Sequence, residues 1–250
     1  MTEADTTFIQ AMMQLYGGLD RLGPGDDDFA LGLLAELALP SPQPRIADLG
    51  CGTGAGSLLL ARHFKLPVLA VEQMPGFLET LTDRAKAEGL SDLVRAIEAD
   101  MGALDWPDGS LDLLWSEGAA YNLTFRGALE KWRRLLGGDG IAVISEMSWF
   151  TEARPARAVA FWDNEYPTMA SEAENCETAV ACGFTVLKTR RLPTAAWWEN
   201  FYGPLEARMA ELQPAEGVLA QVIEDTRLEI ALFRECESVY GYTFYVLSAD

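Results

Sequence analysis

The stretch IADLGCGTGAG, residues 46–56, decides the fold. Ile46 to Leu49 is a short apolar run of the kind that forms a buried strand. Three alternating glycines follow, Gly50, Gly52 and Gly54, and then a helix. A strand, a glycine turn and a helix in that order build the crevice in which open α/β sheets bind ligands. Glycine serves there because the backbone turns sharply and because a ligand must touch the main chain. Asp48 stands at the end of the strand, where a carboxylate can meet a cationic group. Gly50, Gly52 and Ala55 also satisfy the G-x-G-x-x-A form of the dinucleotide fingerprint. The turn alone therefore admits a nicotinamide cofactor, an adenosyl cofactor, or no ligand.

Working outward, short apolar runs alternate with helical patterns, which predicts a parallel sheet of βαβ units. Strand two is Val68 to Val71 and ends at Glu72. An acidic residue about 20 positions after the glycine turn is where a ribose diol is held. A helix over Pro75–Glu88 shows an apolar face of Phe77, Leu78 and Leu81. Strand three, Val94 to Ile97, precedes Asp100 and Met101. A carboxylate there can accept from an adenine amino group and a methionine can pack on the ring; an ordinary loop aspartate is the plain alternative. Strand four is Leu111 to Trp115. In the next helix Phe125, Ala128, Leu129, Trp132, Leu135 and Leu136 keep helical spacing, and Gly137 and Gly138 are expected to end it. Strand five is Ile141 to Ser145.

Before this core, residues 6–16 read as a helix through Phe8, Met12 and Leu15. RLGPGDDD, 21–28, is a loop leading to a helix over 28–38, and Pro40, Pro42 and Pro44 form a stiff connector. After strand five come a helix starting near Pro155, a helix over 172–182 ended by Gly183, and strand six over Phe184–Thr189. Residues 194–240 are helical, and an aromatic strand, Tyr242 to Leu247, closes the chain. The expectation is one domain: a helical cover over 1–43, a cofactor core over 44–147, and 148–250 holding two helical insertions and the last two strands.

Composition narrows the partners. The chain has 250 residues, 49% of them hydrophobic, and a formal charge of −19. Nucleic-acid binding needs Lys and Arg to neutralise phosphates, and anionic membrane surfaces attract basic segments, so neither is an expected partner. No apolar run reaches the roughly 18 residues of a membrane helix. MTEADTTF lacks the basic and apolar regions of a secretory signal, which leads to a cytoplasmic expectation. Cys51, Cys176, Cys182 and Cys236 have neither CxxC spacing nor a neighbouring histidine, so a zinc site is not expected. Oligomeric state is not legible, and a homodimer stays open.

The order and spacing of ADLGCGTG (47–54), AVEQM (70–74), EADMGALDWPDGSLDLLWSEGA (98–119) and LLGGDGIAVISE (135–146) resemble the class I S-adenosylmethionine-dependent methyltransferases. RLGPG (21–25), LLWSEGAAYN (113–122), SEMSWFTEARP (145–155), FWDNEYP (161–167) and YGYTFYVL (240–247) extend the likeness to stand-alone bacterial methyltransferases of unestablished substrate. The resemblance implies a Rossmann-like seven-stranded α/β sheet, order 3-2-1-4-5-7-6, with strand seven antiparallel and helices on both faces. It implies S-adenosylmethionine as cofactor and S-adenosylhomocysteine as product. By position, Asp48, Gly50, Gly52 and Gly54 would surround the methionine part and Glu72 the ribose, with Gln73 and Met74 beside it. Asp100 and Met101 would meet the adenine, and Ser116 and Glu117 the sulfonium side. Ser116-Glu117-Gly118-Ala119 departs from the N/D-P-P-Y/F run of some nitrogen methylases, which disfavours adenine methylation in nucleic acid. No acidic cluster with a lysine marks a metal-dependent enzyme.

Methyl transfer needs chiefly alignment of the nucleophile. The single histidine, His63, falls inside a helix and is expected on the surface. Glu117 and Glu146, each after a serine at a strand end, are the candidate catalytic groups, with Tyr121 beside them; capping or ion-pair roles are the plain alternative. Trp149, Trp162, Tyr166, Trp198 and Tyr202 in the insertions, with Arg21, are candidates for the acceptor pocket, although an aromatic stripe is commonly core. A small-molecule acceptor is expected, with an amine, thiol or activated carbon preferred over a plain hydroxyl. An NAD(P)-dependent oxidoreductase, a protein methyltransferase and a non-catalytic binding module are the rivals.

Overall fold

The computed structural model describes residues 3–213 and 215–249. Its elements run α1 (Glu3–Tyr16), α2 (Asp27–Leu34), β1 (Ile46–Leu49), α3 (Ala55–Phe64), β2 (Val68–Glu72), α4 (Pro75–Ala87), β3 (Val94–Glu98), β4 (Leu111–Ser116), α5 (Phe125–Trp132) and β5 (Leu136–Trp149). They continue through α6 (Ala156–Glu165), β6 (Ala170–Ser171), α7 (Glu172–Ala181), β7 (Phe184–Arg191), α8 (Thr194–Trp197), α9 (Gly203–Glu211), α10 (Gly217–Cys236) and β8 (Tyr240–Ala249). Local chemistry sets several starts. The Asp26 carboxylate accepts from Phe29 N at 2.7 Å and caps α2. Pro75 opens α4, where a missing N–H costs nothing. Ser171 and Glu174 form a reciprocal capping box on α7.

The strands lie in the order β3-β2-β1-β4-β5-β8-β7, with β6 beside the end of β5. β1 to β5 are mutually parallel, and β8 is antiparallel to both β5 and β7. Leaving aside the two-residue β6, this is the expected order with the expected antiparallel last strand. Both faces are covered. Along β8, Tyr240, Tyr242, Phe244 and Val246 enter the core on one face, while Tyr245, Leu247 and Ala249 enter the other, the two-residue alternation of a strand.

Two expectations change and one is refined. β5 runs on to Trp149, because β8 pairs with it continuously from Gly140 opposite Ala249 to Trp149 opposite Tyr240. Gly137 and Gly138 do not end α5. A 3-10 turn, Arg133–Leu135, does so, and Asp139, at φ 61°, takes the left-handed turn before pairing resumes at Ile141. The stretch 194–240 is helical as expected but in pieces: a π-helical turn, Trp198–Tyr202, joins α8 to α9, and α10 is separate. Among the described residues, no helix is long and apolar enough to cross a membrane.

Candidate active site

The glycine turn does what its sequence requires. Gly50, Gly52 and Gly54 have φ of 75°, 52° and 91°, a region costly for residues with a Cβ. Gly50 N and Cys51 N both donate to Val71 O at 2.9 Å, which ties the turn to the end of β2. A Cβ on Gly50 would stand 2.3 Å from that of Ala119, and one on Gly52 would stand 2.8 Å from Leu22. Glu72 is bound into the same turn: Oε2 accepts from Gly52 N (3.1 Å), and Oε1 from Gln73 N (2.8 Å) and Met74 N (3.0 Å). Asp48, at the end of β1, is buried and accepts from Ser57 Oγ at 2.7 Å. Burial pushes its carboxyl up to about 7; the Ser57 bond opposes the shift and the Glu117 charge adds to it.

This turn is one end of a cavity of about 1230 Å³ at the carboxyl ends of β1, β4 and β5. Small-ligand pockets commonly occupy about 300–1,000 Å³, so there is room for more than one compact molecule. Asp48, Gly50, Gly52, Glu72, Gln73, Met74, Asp100, Met101 and Glu117 all line it. Asp100 Oδ1 accepts from Gly102 N at 2.7 Å, and Trp132 Nε1 donates to Met101 O at 2.9 Å, so the Asp100–Met101 corner is held rigidly. The other end is walled by α1, α6, α10 and the π-helical turn, through Tyr16, Phe161, Trp162, Tyr166, Trp197, Phe201 and Glu229.

Between the two ends, Glu117 Oε1 accepts from Trp115 Nε1 at 2.8 Å and Oε2 from Arg21 Nη1 at 3.0 Å. Arg21 also pairs with Asp27 at 2.5 Å. The Arg21 guanidinium, a candidate for the acceptor pocket, is thus committed to two carboxylates of its own chain, and Glu117 is committed in return. Glu146 differs. It is 2% exposed, it lines the cavity, and its Oε1 has no hydrogen-bond partner. Burial pushes its carboxyl up to about 8, while Tyr166 and the Met147 N–H oppose that shift. Tyr121, half-exposed at the rim, meets Tyr166 edge-to-face at 6.1 Å.

Five expected site residues lie off the cavity wall. Gly54 caps α3, and a Cβ on it would collide with Leu81 at 2.0 Å. Ser116 donates to Leu49 O at 2.8 Å and stitches β4 to β1. Trp149 packs on Tyr240 beneath Arg154. Trp198 turns outward, donating to Glu237 under Arg234. Tyr202 is buried behind the wall and donates to Glu229 Oε1 at 2.7 Å. Trp197 and Phe201 take the inward places; Trp198 and Tyr202 share their i, i+4 spacing, so spacing alone did not distinguish the two pairs. His63 is exposed on α3, as its place in the helix predicts.

The inner end fits an adenosyl cofactor: a bare turn beside Gly50, carboxyls at Asp48, Glu72 and Asp100, and a thioether at Met101. Residues 47–144 match the family described as a methyltransferase domain. Over this stretch the chain is similar to the S-adenosylmethionine-dependent methyltransferases. Similar proteins include 2-methyl-6-phytyl-1,4-hydroquinone methyltransferase of Synechocystis sp., 26% identical over 76% of this chain and 57% of that protein. The uncharacterized methyltransferase YodH of Bacillus subtilis is 29% identical over 61% of this chain and 63% of its own length. The chain therefore spans about six tenths of the length of these curated relatives. A methyltransferase from Geobacter sulfurreducens, solved with S-adenosylhomocysteine, superposes with a TM-score of 0.78 at 20% identity, covering 95% of this chain and 97% of that one. At that identity it speaks for the fold. The domain match removes the main support of the nicotinamide reading, which rested on the glycine turn and Glu72.

Proposed function

We propose that this methyltransferase domain acts on a small, partly apolar acceptor through a basic nitrogen, with S-adenosylmethionine as donor. The observation that carries the reading is Glu146, a buried carboxyl with an unpartnered oxygen, walled by Phe161, Trp162 and Tyr166. An unpaired buried polar group is costly, so its retention beside an aromatic wall supports a ligand that completes it. Charge points the same way. The described lining residues include eight carboxyls (Asp48, Glu72, Asp100, Glu117, Glu146, Glu165, Asp225 and Glu229) and one guanidinium, Arg21, which is already paired. Such a cavity has no free cation for an anionic acceptor, and a bound cation would favour the ionised form of the carboxyls that burial pushes up, Asp48 and Glu146 among them; aromatic faces favour the same cation.

Bound cofactor supplies a methyl group on a sulfonium, a good leaving group. The chain supplies alignment and a proton acceptor. Glu72 and Asp100 hold the donor end, and the aromatic wall excludes water from the acceptor end. An ammonium must shed a proton before its nitrogen presents a lone pair, and the Glu146 carboxylate takes it. A carboxyl pushed up to about 8 is poised for this near neutral pH. A thiol or an activated carbon would satisfy the alignment without using the negative lining. A plain hydroxyl has no histidine to activate it, and a protein side chain would have to pass α1, α6 and α10.

The test is incubation with methyl-labelled cofactor and a metabolite extract divided by charge. Label is expected in a cationic or neutral product of low mass. Label confined to anionic products, to protein or to nucleic acid would overturn the reading.

A further inference from the structure

The outer end of the cavity holds a second carboxyl that methyl transfer does not use. Glu229 projects from α10 into the cavity, with its Oε1 fixed by the Tyr202 hydroxyl at 2.7 Å. Tyr202 is buried at the base of this contact, so it holds the carboxyl in one orientation. Asp225, one helical turn earlier, and Glu165 of α6 line the same end. Among the described lining residues no free cation answers them, because Arg21 is taken by Glu117 and Asp27. Glu146, on β5, is the second sign of a ligand: it is 2% exposed, its Oε1 has no partner, and it faces the same cavity.

The two carboxyls enter the cavity from different elements, Glu146 from β5 and Glu229 from α10. Tyr16, Trp197 and Phe201 add aromatic wall at the outer end. Apolar wall with a carboxyl at each pole is complementary to an apolar spacer with a cation at each end.

We propose that Glu229, positioned by Tyr202, is a second cation anchor that selects acceptors carrying two basic nitrogens. One nitrogen lies at Glu146, where methylation occurs, and the other at Glu229. This inference rests on the amine-acceptor reading above. Glu229 is a specificity residue that touches the far end of the substrate; Tyr202 acts only through it.

Calorimetric titration of the full chain, saturated with S-adenosylhomocysteine, tests the idea. The probes are linear aliphatic diamines of increasing length and the monoamines of matched length. At the best length the diamine is expected to bind about ten-fold or more tighter than its monoamine, the order expected of one charge-assisted pair. Glu229→Gln should bring that ratio close to one, and Tyr202→Phe should reduce it part-way. Affinity for S-adenosylhomocysteine reports that each variant is folded. Equal binding of diamine and monoamine by the wild type, or a diamine preference that survives Glu229→Gln, overturns the second anchor and leaves the amine reading standing. If no amine binds at any length while S-adenosylhomocysteine does, both fall. The wild-type comparison decides even if a variant does not fold.

Discussion

Replacing Glu146 with glutamine removes a charge that the folded protein is built to resist. The carboxyl is 2% exposed and is pushed from its ordinary 4.5 to about 8 by burial. An acid with a raised folded value keeps its proton longer in the folded chain than in the unfolded one. Its ionisation therefore costs nothing below about pH 4.5 and destabilises increasingly until the pH passes about 8. At 1.36 kcal/mol per pH unit, the full cost is on the order of 5 kcal/mol, of which about 4 accumulates between pH 5 and pH 9. Glu146→Gln is neutral throughout, so its stability should lie close to the wild type near pH 5 and exceed it by about 4 kcal/mol near pH 9. For a chain of this size that is a gap of roughly 8–16 °C in Tm. Urea unfolding of both proteins across this range measures it. The other titrating groups, Asp48 included, are common to both proteins and cancel in the difference. Parallel pH profiles would refute the buried carboxyl, its Oε1 without a partner, on which the acceptor site depends.

Other replacements probe the rest of the site. Gly50→Ala places a Cβ 2.3 Å from Ala119 at φ 75°; it should cost about 2–4 kcal/mol in urea unfolding and abolish S-adenosylhomocysteine binding. Arg21→Ala leaves Glu117, whose side chain is 13% exposed, without its cation. A loss of about 2–4 kcal/mol is expected, and an unchanged unfolding midpoint would contradict the pairing. Trp198→Ala acts on the outer face, so turnover should stay within about two-fold, whereas Phe201→Ala, on the cavity wall, should lower it about ten-fold or more. The reverse order would place the acceptor elsewhere.

The glycine-turn end of the cavity was legible in the sequence because its parts are local. Asp48, Gly50, Gly52, Glu72, Asp100 and Met101 each lie at or just after the carboxyl end of a strand, and strand ends in a parallel sheet converge on one edge. The reason given to Gly52 is only part of the story: the turn needs its φ of 52°, but Leu22, from the loop after α1, covers it. Ser116 was misplaced because its hydroxyl turns to the Leu49 carbonyl of β1, a contact between strands that no local pattern announces. The acceptor end was less legible. The π-helical turn at Trp198–Tyr202 inserts extra backbone into the helix, so side chains do not follow the 3.6-residue period and Trp197, not Trp198, faces inward. Glu229 reaches the cavity only because α10 packs beside α1, an arrangement set by tertiary contacts far apart in sequence.

The most direct test of the cofactor crevice is isothermal titration of the purified chain with S-adenosylhomocysteine, beside NADH. The adenosyl ligand should bind, and Glu72→Ala should weaken it about ten-fold or more, because its carboxylate orders the turn through three backbone N–H groups. NADH should give no binding heat. Binding of NADH in place of S-adenosylhomocysteine, or an affinity for the latter that ignores Glu72→Ala, would contradict the account.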